Sequence, residues 1–279
     1  MTENINSIKN LLLLSYLNIE NLEYFEDSFL NQSFDSVEIF YKAIQEKIFF
    51  ENISGVDYAF FKVEKILTQM EKGDYYLISY KSKNYPKALN KLDKKPKFLF
   101  CKGDITCLDK PIIAIVGTRK SSKEGENIAY KISQKLSSDY IILSGLAKGI
   151  DTKAHLGAVD LNNKTIAVLP SPINKIYPKE NSYLASRIVE NRGLLVSPFM
   201  PEINIKKYFF IYRDKIQAAL SDKIYIIEMG LKSGTMHTLR AAEKFNKKIY
   251  IYDWDEVKIS NLGNHKLIDV NIGEKFKII

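Results

Sequence analysis

From residue 111 onward the chain alternates between short apolar runs and longer stretches with helical spacing. The runs fall at 112–116, 140–143, 165–169, 194–196, 223–227 and 248–252. Helical spacing occupies about 122–137, 151–160, 183–192, 214–220 and 235–246. A strand that is apolar at consecutive positions is buried on both faces, and strands separated by helices run parallel. The pattern therefore predicts an α/β fold: an extended, Rossmann-like, doubly wound, mostly parallel sheet, with its core at about 111–270. Residues 1–72 differ. They hold no proline and one glycine, and apolar positions such as Ile44, Ile48 and Phe49 recur at helical spacing. This stretch reads as a small all-helical N-terminal module of about four helices, SAM-like or similar. Residues 73–110 look linker-like, with two strand-like pieces at 75–80 and 98–101, and belong with the second domain, 73–279.

At 46% hydrophobic and 27% charged, the composition is that of a soluble globular protein. The apolar run Leu11 to Leu17 is too short for the ~18 residues of a membrane span and reads as a buried helix. Two cysteines, Cys101 and Cys107, do not make a disulfide scaffold, which points to the cytoplasm. Net charge changes the picture more. Residues 1–72 carry 12 acidic and 6 basic residues, whereas the remainder carries 21 acidic and 35 basic. A basic body beside an acidic module fits a polyanion partner.

In an open parallel sheet, ligands bind beyond the carboxyl ends of the strands at the switch point. Three glycine-containing loops fall there. Gly117-Thr118-Arg119-Lys120 follows the first core strand, and Ser121 with Glu124 has capping-box spacing. Ser144-Gly145-Leu146-Ala147-Lys148-Gly149 follows the second, with Asp151 as the expected helix cap. Lys232-Ser233-Gly234-Thr235 forms the third. Together they describe an anion-binding groove built from backbone amides and cations. Neither the dinucleotide fingerprint nor the P-loop motif is present, so no nucleotide cofactor is expected. Between the fourth and fifth strands, Lys206 to Lys215 interleaves four aromatics with cations, among them Lys207, Phe210 and Arg213. Such a mixture suits single-stranded nucleic acid, with bases on aromatic faces and phosphates on cations.

Catalytic constellations are poor. His155 sits in an apolar helix and reads as structural. Ser144 and Ser233 lack an adjacent base, the cysteines lack a neighbouring histidine for a metal site, and Glu228 is a lone acid/base candidate. No catalytic residue and no metal ligand is assigned.

At these loops the sequence resembles the DNA-processing protein A family (DprA, also called Smf) over roughly residues 75–270. The likeness rests on Tyr85-Pro86, Ile115 to Arg119, Ser144 to Asp151 with Ala154-His155, Thr165 to Leu169, Tyr177-Pro178 with Glu180-Asn181, Ala219 to Asp222, Lys232 to Thr235, and Gly263-Asn264 with Leu267-Ile268. The resemblance implies a non-enzymatic homodimer that binds and protects single-stranded DNA and loads the RecA recombinase during natural transformation. Arg119 and Lys148 match the family's phosphate-contacting positions, and Lys207, Phe210 and Arg213 match its aromatic-basic loop. That loop departs from the family pattern, reading Arg213-Asp214-Lys215 where Arg-Asn-Arg is usual. Asp214 is accordingly expected in a partly exposed loop, where its charge weakens DNA binding. A C-terminal winged-helix-like domain is not expected within 279 residues. The alternative is a Rossmann-like nucleotide-binding or nucleoside-monophosphate phosphoribohydrolase-type enzyme. Its Pro-Gly-Gly-x-Gly-Thr motif is represented here only by Ser233-Gly234-Thr235, with Glu243 downstream.

Overall fold

The computed structural model of the protein describes residues 4–17, 19, 25–34, 36–47 and 55–278. Ile48 and Phe49 lie outside them. The chain divides into two compact units, Met1–Asp74 and Tyr75–Ile279. The first holds α1 (Ile5–Tyr16), α2 (Asp27–Leu30), α3 (Val37–Lys47) and α4 (Val56–Glu71). Leu11, Leu12, Leu13 and Leu14 of α1 are fully buried, as the apolar run predicts. Phe29, Phe34 and Phe40 pack ring against ring beside them. Buried Asn10 donates to the carbonyls of Leu30 and Gln32, both at 2.9 Å, which closes the end of α2.

The second unit begins with β1 (Tyr76–Ser79) and β2 (Phe98–Gly103). There follow β3 (Ile112–Val116), α5 (Lys123–Leu136), β4 (Ile141–Ser144), α6 (Ile150–Val159), β5 (Thr165–Val168), α7 (Ser182–Glu190) and β6 (Leu194–Ser197). The chain continues through α8 (Lys207–Leu220), β7 (Lys223–Ile226), α9 (Thr235–Lys244), β8 (Lys248–Tyr252), α10 (Leu262–Asp269) and β9 (Glu274–Phe276). The strands form one sheet in the order β1-β2-β6-β5-β4-β3-β7-β8-β9. All pairings from β6 to β9 are parallel, while β1–β2 and β2–β6 are antiparallel. The doubly wound, mostly parallel sheet is the fold the pattern predicts.

Alternation along β3 explains its two helical layers. Ile113 and Ile115 face Ile128 and Ile132 of α5 and Ala154 and Ala158 of α6. Ile112, Ala114 and Val116 share the opposite core with Ile216 of α8 and Leu239 of α9. Side chains alternate across a pleated strand, so a strand covered on both sides must be apolar throughout.

Two expectations are corrected. Residues 73–110 are no linker, because β2 pairs with β6 and buries Phe98 to Cys101 inside the sheet. Helix α8 starts at Lys207, seven residues before the expected position 214. Phe209, Arg213, Ile216, Gln217 and Leu220 give it a buried stripe at helical spacing, although two of the five are polar.

On the far side of β3, fully buried Asn264 clamps the ends of β7 and β8. Its Nδ2 donates to the carbonyls of Ile227 (2.9 Å) and Tyr252 (3.2 Å), and its Oδ1 accepts from the Met229 N–H (2.8 Å). Asn264→Ala would strand the Met229 N–H and the Tyr252 carbonyl, while the Ile227 carbonyl keeps the Trp254 indole N–H at 2.9 Å; each orphan costs about 1–3 kcal/mol. Denaturant unfolding should therefore show a loss of about 3 kcal/mol; a loss below about 1 kcal/mol would contradict this bracing role.

Candidate functional site

Successive connections run from β3 to β4, β5 and β6 on one side, then return to β7 and β8 on the other. The switch point is the carboxyl end of β3. The loops after β3, β4 and β7 meet there around a cavity of about 520 Å³. The structure brings together Gly117, Thr118, Arg119, Lys207, Phe210, Arg213, Ser233, Gly234 and Thr235 on its lining. Gly145 and Lys148 border an adjoining pocket shared with Arg119, Phe210 and Arg213. Lys120 and Lys232 of the first and third loops also line the main cavity, joined by Tyr177 and His237, to which the sequence pattern assigns no ligand contact. Tyr177 was legible only as half of a Tyr-Pro pair; the loop after β5 carries it back to the switch point.

Three backbone amides near the switch point, those of Ser122, Gly145 and Ala147, are taken by the protein's own carboxylates. At the start of α5, the Ser122 N–H donates to Glu228 Oε2 at 2.9 Å, and the Ser122 hydroxyl does so at 3.2 Å. Glu228 is fully buried, so it serves as the anion at this helix terminus rather than as an exposed acid/base. The helix cap is Ser122, whose Oγ accepts from the Gly125 N–H; Ser121 instead donates to Glu126. In the second loop, Asp151 lies inside the first turn of α6 and does not cap it. Its Oδ2 accepts from the N–H groups of Gly145 (3.1 Å) and Ala147 (3.3 Å).

Two glycines are required here. A Cβ on Gly145 would run into Arg213 Nη1, and Gly149 has φ +76° against the Thr118 carbonyl. Asn181 completes the loop, donating to the Leu146 carbonyl (2.8 Å) and to Thr152 Oγ1 (2.9 Å). Ser144 is fully buried and donates to the Ile115 carbonyl at 2.7 Å, so it faces no ligand. Lys148 is exposed, and its Nζ meets Glu180 Oε1 at 2.6 Å.

Above this frame stand the groups with room to act. The Arg119 guanidinium lies 4.8 Å from the Phe210 ring centroid, and Tyr177 meets the same ring edge-on at 5.5 Å. Arg119, Lys120, Lys207 and Lys232 are exposed on the cavity rim. The first residues of α9 line the cavity too, so the positive end of that helix dipole faces it.

Arg213 differs from the sequence expectation. It is 3% exposed, donates through Nη1 to the Gly145 carbonyl, and pairs through Nε with Asp214 Oδ1 at 2.9 Å and, more distantly, with Asp151 Oδ2 at 3.8 Å. With Nη1 and Nε committed to protein acceptors, it positions the second loop from beneath. Asp214 is likewise 8% exposed and lies within α8 rather than in an exposed loop. Gln217, its amide donating to Asp214 Oδ1 at 3.3 Å, closes the cluster. Burial pushes the Asp214 carboxyl up to about 6, with Arg213 pulling against it. Burial also raises Asp151, again opposed by Arg213. Behind them, His155 Nδ1 donates to Thr165 Oγ1 (2.8 Å), which itself donates to the Ile142 carbonyl (2.6 Å). Burial holds this imidazole down at about 3, so it is neutral and structural.

A family model described as DNA recombination-mediator protein A matches residues 76–274, the whole of the sheet from β1 to the start of β9. The chain belongs to that family. Among its relatives, Protein Smf of Borreliella burgdorferi is 32% identical over 192 residues, covering 67% of this chain and 61% of the relative. DNA processing protein DprA of Streptococcus pneumoniae is 34% identical over 184 residues, covering 66% and 65%. The matched segment thus spans under two thirds of either relative. The crystal structure of S. pneumoniae DprA superposes with a TM-score of 0.75 at 27% identity, covering 99% of this chain and 95% of that one. DNA processing protein A of Helicobacter pylori, a structure described for its single-stranded DNA binding mode, superposes at 0.66 with 30% identity, covering 72% and 90%.

Asp214 carries a pH signature. Its carboxyl titrates near 3.8 when unfolded and about 6 when folded. A group raised on folding stabilises the native state fully below the lower value, and that stability is lost as pH rises through the upper one. Asp214→Asn removes the titration and keeps the shape. Wild type and variant should be equally stable near pH 4, with the variant ahead by on the order of 2 kcal/mol above about pH 7. Thermal unfolding across that range checks it; a variant less stable at every pH would show that the ionised Arg213–Asp214 pair is a net gain.

Proposed function

We propose that the protein binds single-stranded DNA at the β3 switch point as a non-enzymatic carrier, protects it, and loads it onto a RecA recombinase during natural transformation. The observation that carries this reading is the cavity whose exposed lining is cations and aromatics, while the Gly145 and Ala147 amides beside it are already bonded to Asp151. Arg119, Lys120, Lys207 and Lys232 suit phosphates. The Arg119 guanidinium on Phe210 and the exposed Tyr177 ring offer flat faces to unpaired bases. Membership in the DNA recombination-mediator protein A family and the single-stranded DNA binding of the H. pylori relative support the same reading. Gly117, Thr118, Ser233, Gly234 and Thr235 shape the floor, and Lys148 flanks it. Gly145, Gly149, Ser144 and Arg213 hold the loops in place.

The enzymatic alternative draws little from the site. Glu243, its candidate carboxylate, is exposed near the end of α9 and lines no part of the cavity. Among the described residues no group of three or more His, Cys, Asp or Glu side chains could hold a metal, and no helix is long and apolar enough to cross a membrane. The reading places the protein in the cytoplasm as a homodimer, with single-stranded DNA and RecA as its partners.

Direct binding measurements test it. Oligothymidylate should bind more tightly than duplex of equal length, with log affinity falling by about 0.7 per phosphate neutralised for each tenfold rise in salt. Arg119→Ala combined with Lys207→Ala should weaken binding by at least about tenfold while the protein stays folded, since both side chains are exposed. Equal affinity for duplex, or a double variant that binds like wild type, would overturn the assignment. Glu180→Gln should tighten binding a few-fold at low salt by freeing Lys148 from its ion pair. Unchanged affinity would place Lys148 outside the phosphate track.

A further inference from the structure

Helix α8 presents two adjacent faces to two different cavities. Lys207, Phe210, Asp214 and Gln217 line the switch-point cavity. Tyr208, Ile211, Tyr212 and Lys215, one position along, line a second cavity of about 1100 Å³. Helix α9 repeats the arrangement, with Thr235 and Thr238 on the first cavity, and Arg240, Ala241 and Lys244 on the second. Ile211 and His237 border both, so the α8–α9 pair forms a single ridge between them.

The second cavity has its own chemistry. Its floor is aromatic: Phe199 stacks on Phe209 with centroids 3.8 Å apart, Tyr212 meets Phe199 edge-on at 6.0 Å, and Tyr208 stands 58% exposed at the mouth. Its rim carries Lys94, Lys215, Arg240 and Lys244, against one carboxylate, Asp93, which pairs with Lys244 at 2.6 Å. Within the described residues no carboxylate pairs with Lys94, Lys215 or Arg240. Tyr212 reaches across to the Lys94 carbonyl (2.8 Å), which fixes that segment of the rim.

We propose that this cavity receives a further unpaired nucleotide of the same DNA strand, carried over the Ile211–His237 ridge from the switch point. The proposal rests on the single-stranded DNA reading above and extends it. An aromatic floor under a rim of four cations and one carboxylate matches a base with its phosphates. An acyl chain or an apolar peptide would leave those cations uncompensated. A duplex would keep its bases away from the floor. The shared border with the first cavity makes the two sites consecutive stations on one strand.

The test uses two oligothymidylates, one of about 6 nucleotides that fills only the first cavity and one of about 20 that spans both. It compares wild type, Arg119→Ala, and the pair Tyr208→Ala with Arg240→Ala. Wild type should favour the longer strand beyond the gain from added binding registers. The Tyr208 and Arg240 pair should bind the short oligonucleotide like wild type but lose about tenfold for the long one, with a shallower salt dependence. Lys94→Glu with Arg240→Glu reverses charge at two exposed positions and should do the same without removing an aromatic. If both double variants bind both lengths like wild type while Arg119→Ala is weakened, the second station is refuted and the first stands. If Arg119→Ala also binds like wild type, the underlying reading fails, and this proposal with it.

Discussion

The site depends on a buried guanidinium. Arg213 reaches from the middle of α8 to the Gly145 carbonyl, with Asp214 beside it and Asp151 behind the same loop. Removing the guanidinium would leave Asp214 and Asp151 buried without their counter-charge, at a cost of about 3–5 kcal/mol, so Arg213 holds its place. The consequence is geometric. The second loop is fixed from below by Arg213 and Asp151 and from the side by Asn181, and α8 is fixed by the same contacts. Arg119 and Phe210 therefore stand in a frame set before any ligand arrives, which lowers the ordering cost of binding. The close approach of Arg213 also explains why position 145 is glycine.

The internal carboxylates decide how the site can treat an anion. Glu228 occupies the start of α5 and Asp151 the amides of the second loop. A phosphate finds long, exposed cations rather than the amides of Ser122, Gly145 and Ala147. Such contacts are made with many backbone conformations and are screened by salt. They fit a protein that must hold a flexible polymer without reading its sequence, and that must also release it. A rigid cradle would suit one mononucleotide better.

Much of this was legible in the chain. Consecutive apolar positions in six runs gave away the two-sided sheet, and glycine with lysine after three of them marked the edge where ligands bind. What stayed hidden depends on contacts distant in sequence. Glu228 and Ser122 are 106 residues apart, so nothing local distinguishes a catalytic carboxylate from a helix-terminal one. Arg213, Asp214 and Gln217 read as solvated residues because polar side chains are normally exposed. Only the partners contributed by the second loop make their burial tolerable. The start of α8 was missed for the same reason, since its buried stripe is partly charged. Strands β1 and β2 were seen as pieces, but their pairing to β6 needs the sheet already built. Strand β9, with Glu274 and Lys275 at two of its three positions, offers Phe276 as its one apolar residue, too little for a strand pattern.

The central claim is a division of labour: exposed cations hold the DNA while Arg213 holds the protein. Side-chain Nε–H resonances of arginine report on it directly during titration with oligothymidylate. The account predicts that the Arg119 signal shifts with saturating dependence on DNA, while the Arg213 signal keeps its position and its slow exchange with solvent. An Arg213 resonance that moves with DNA as Arg119 does, or an Arg119 resonance that stays fixed at saturation, would contradict it.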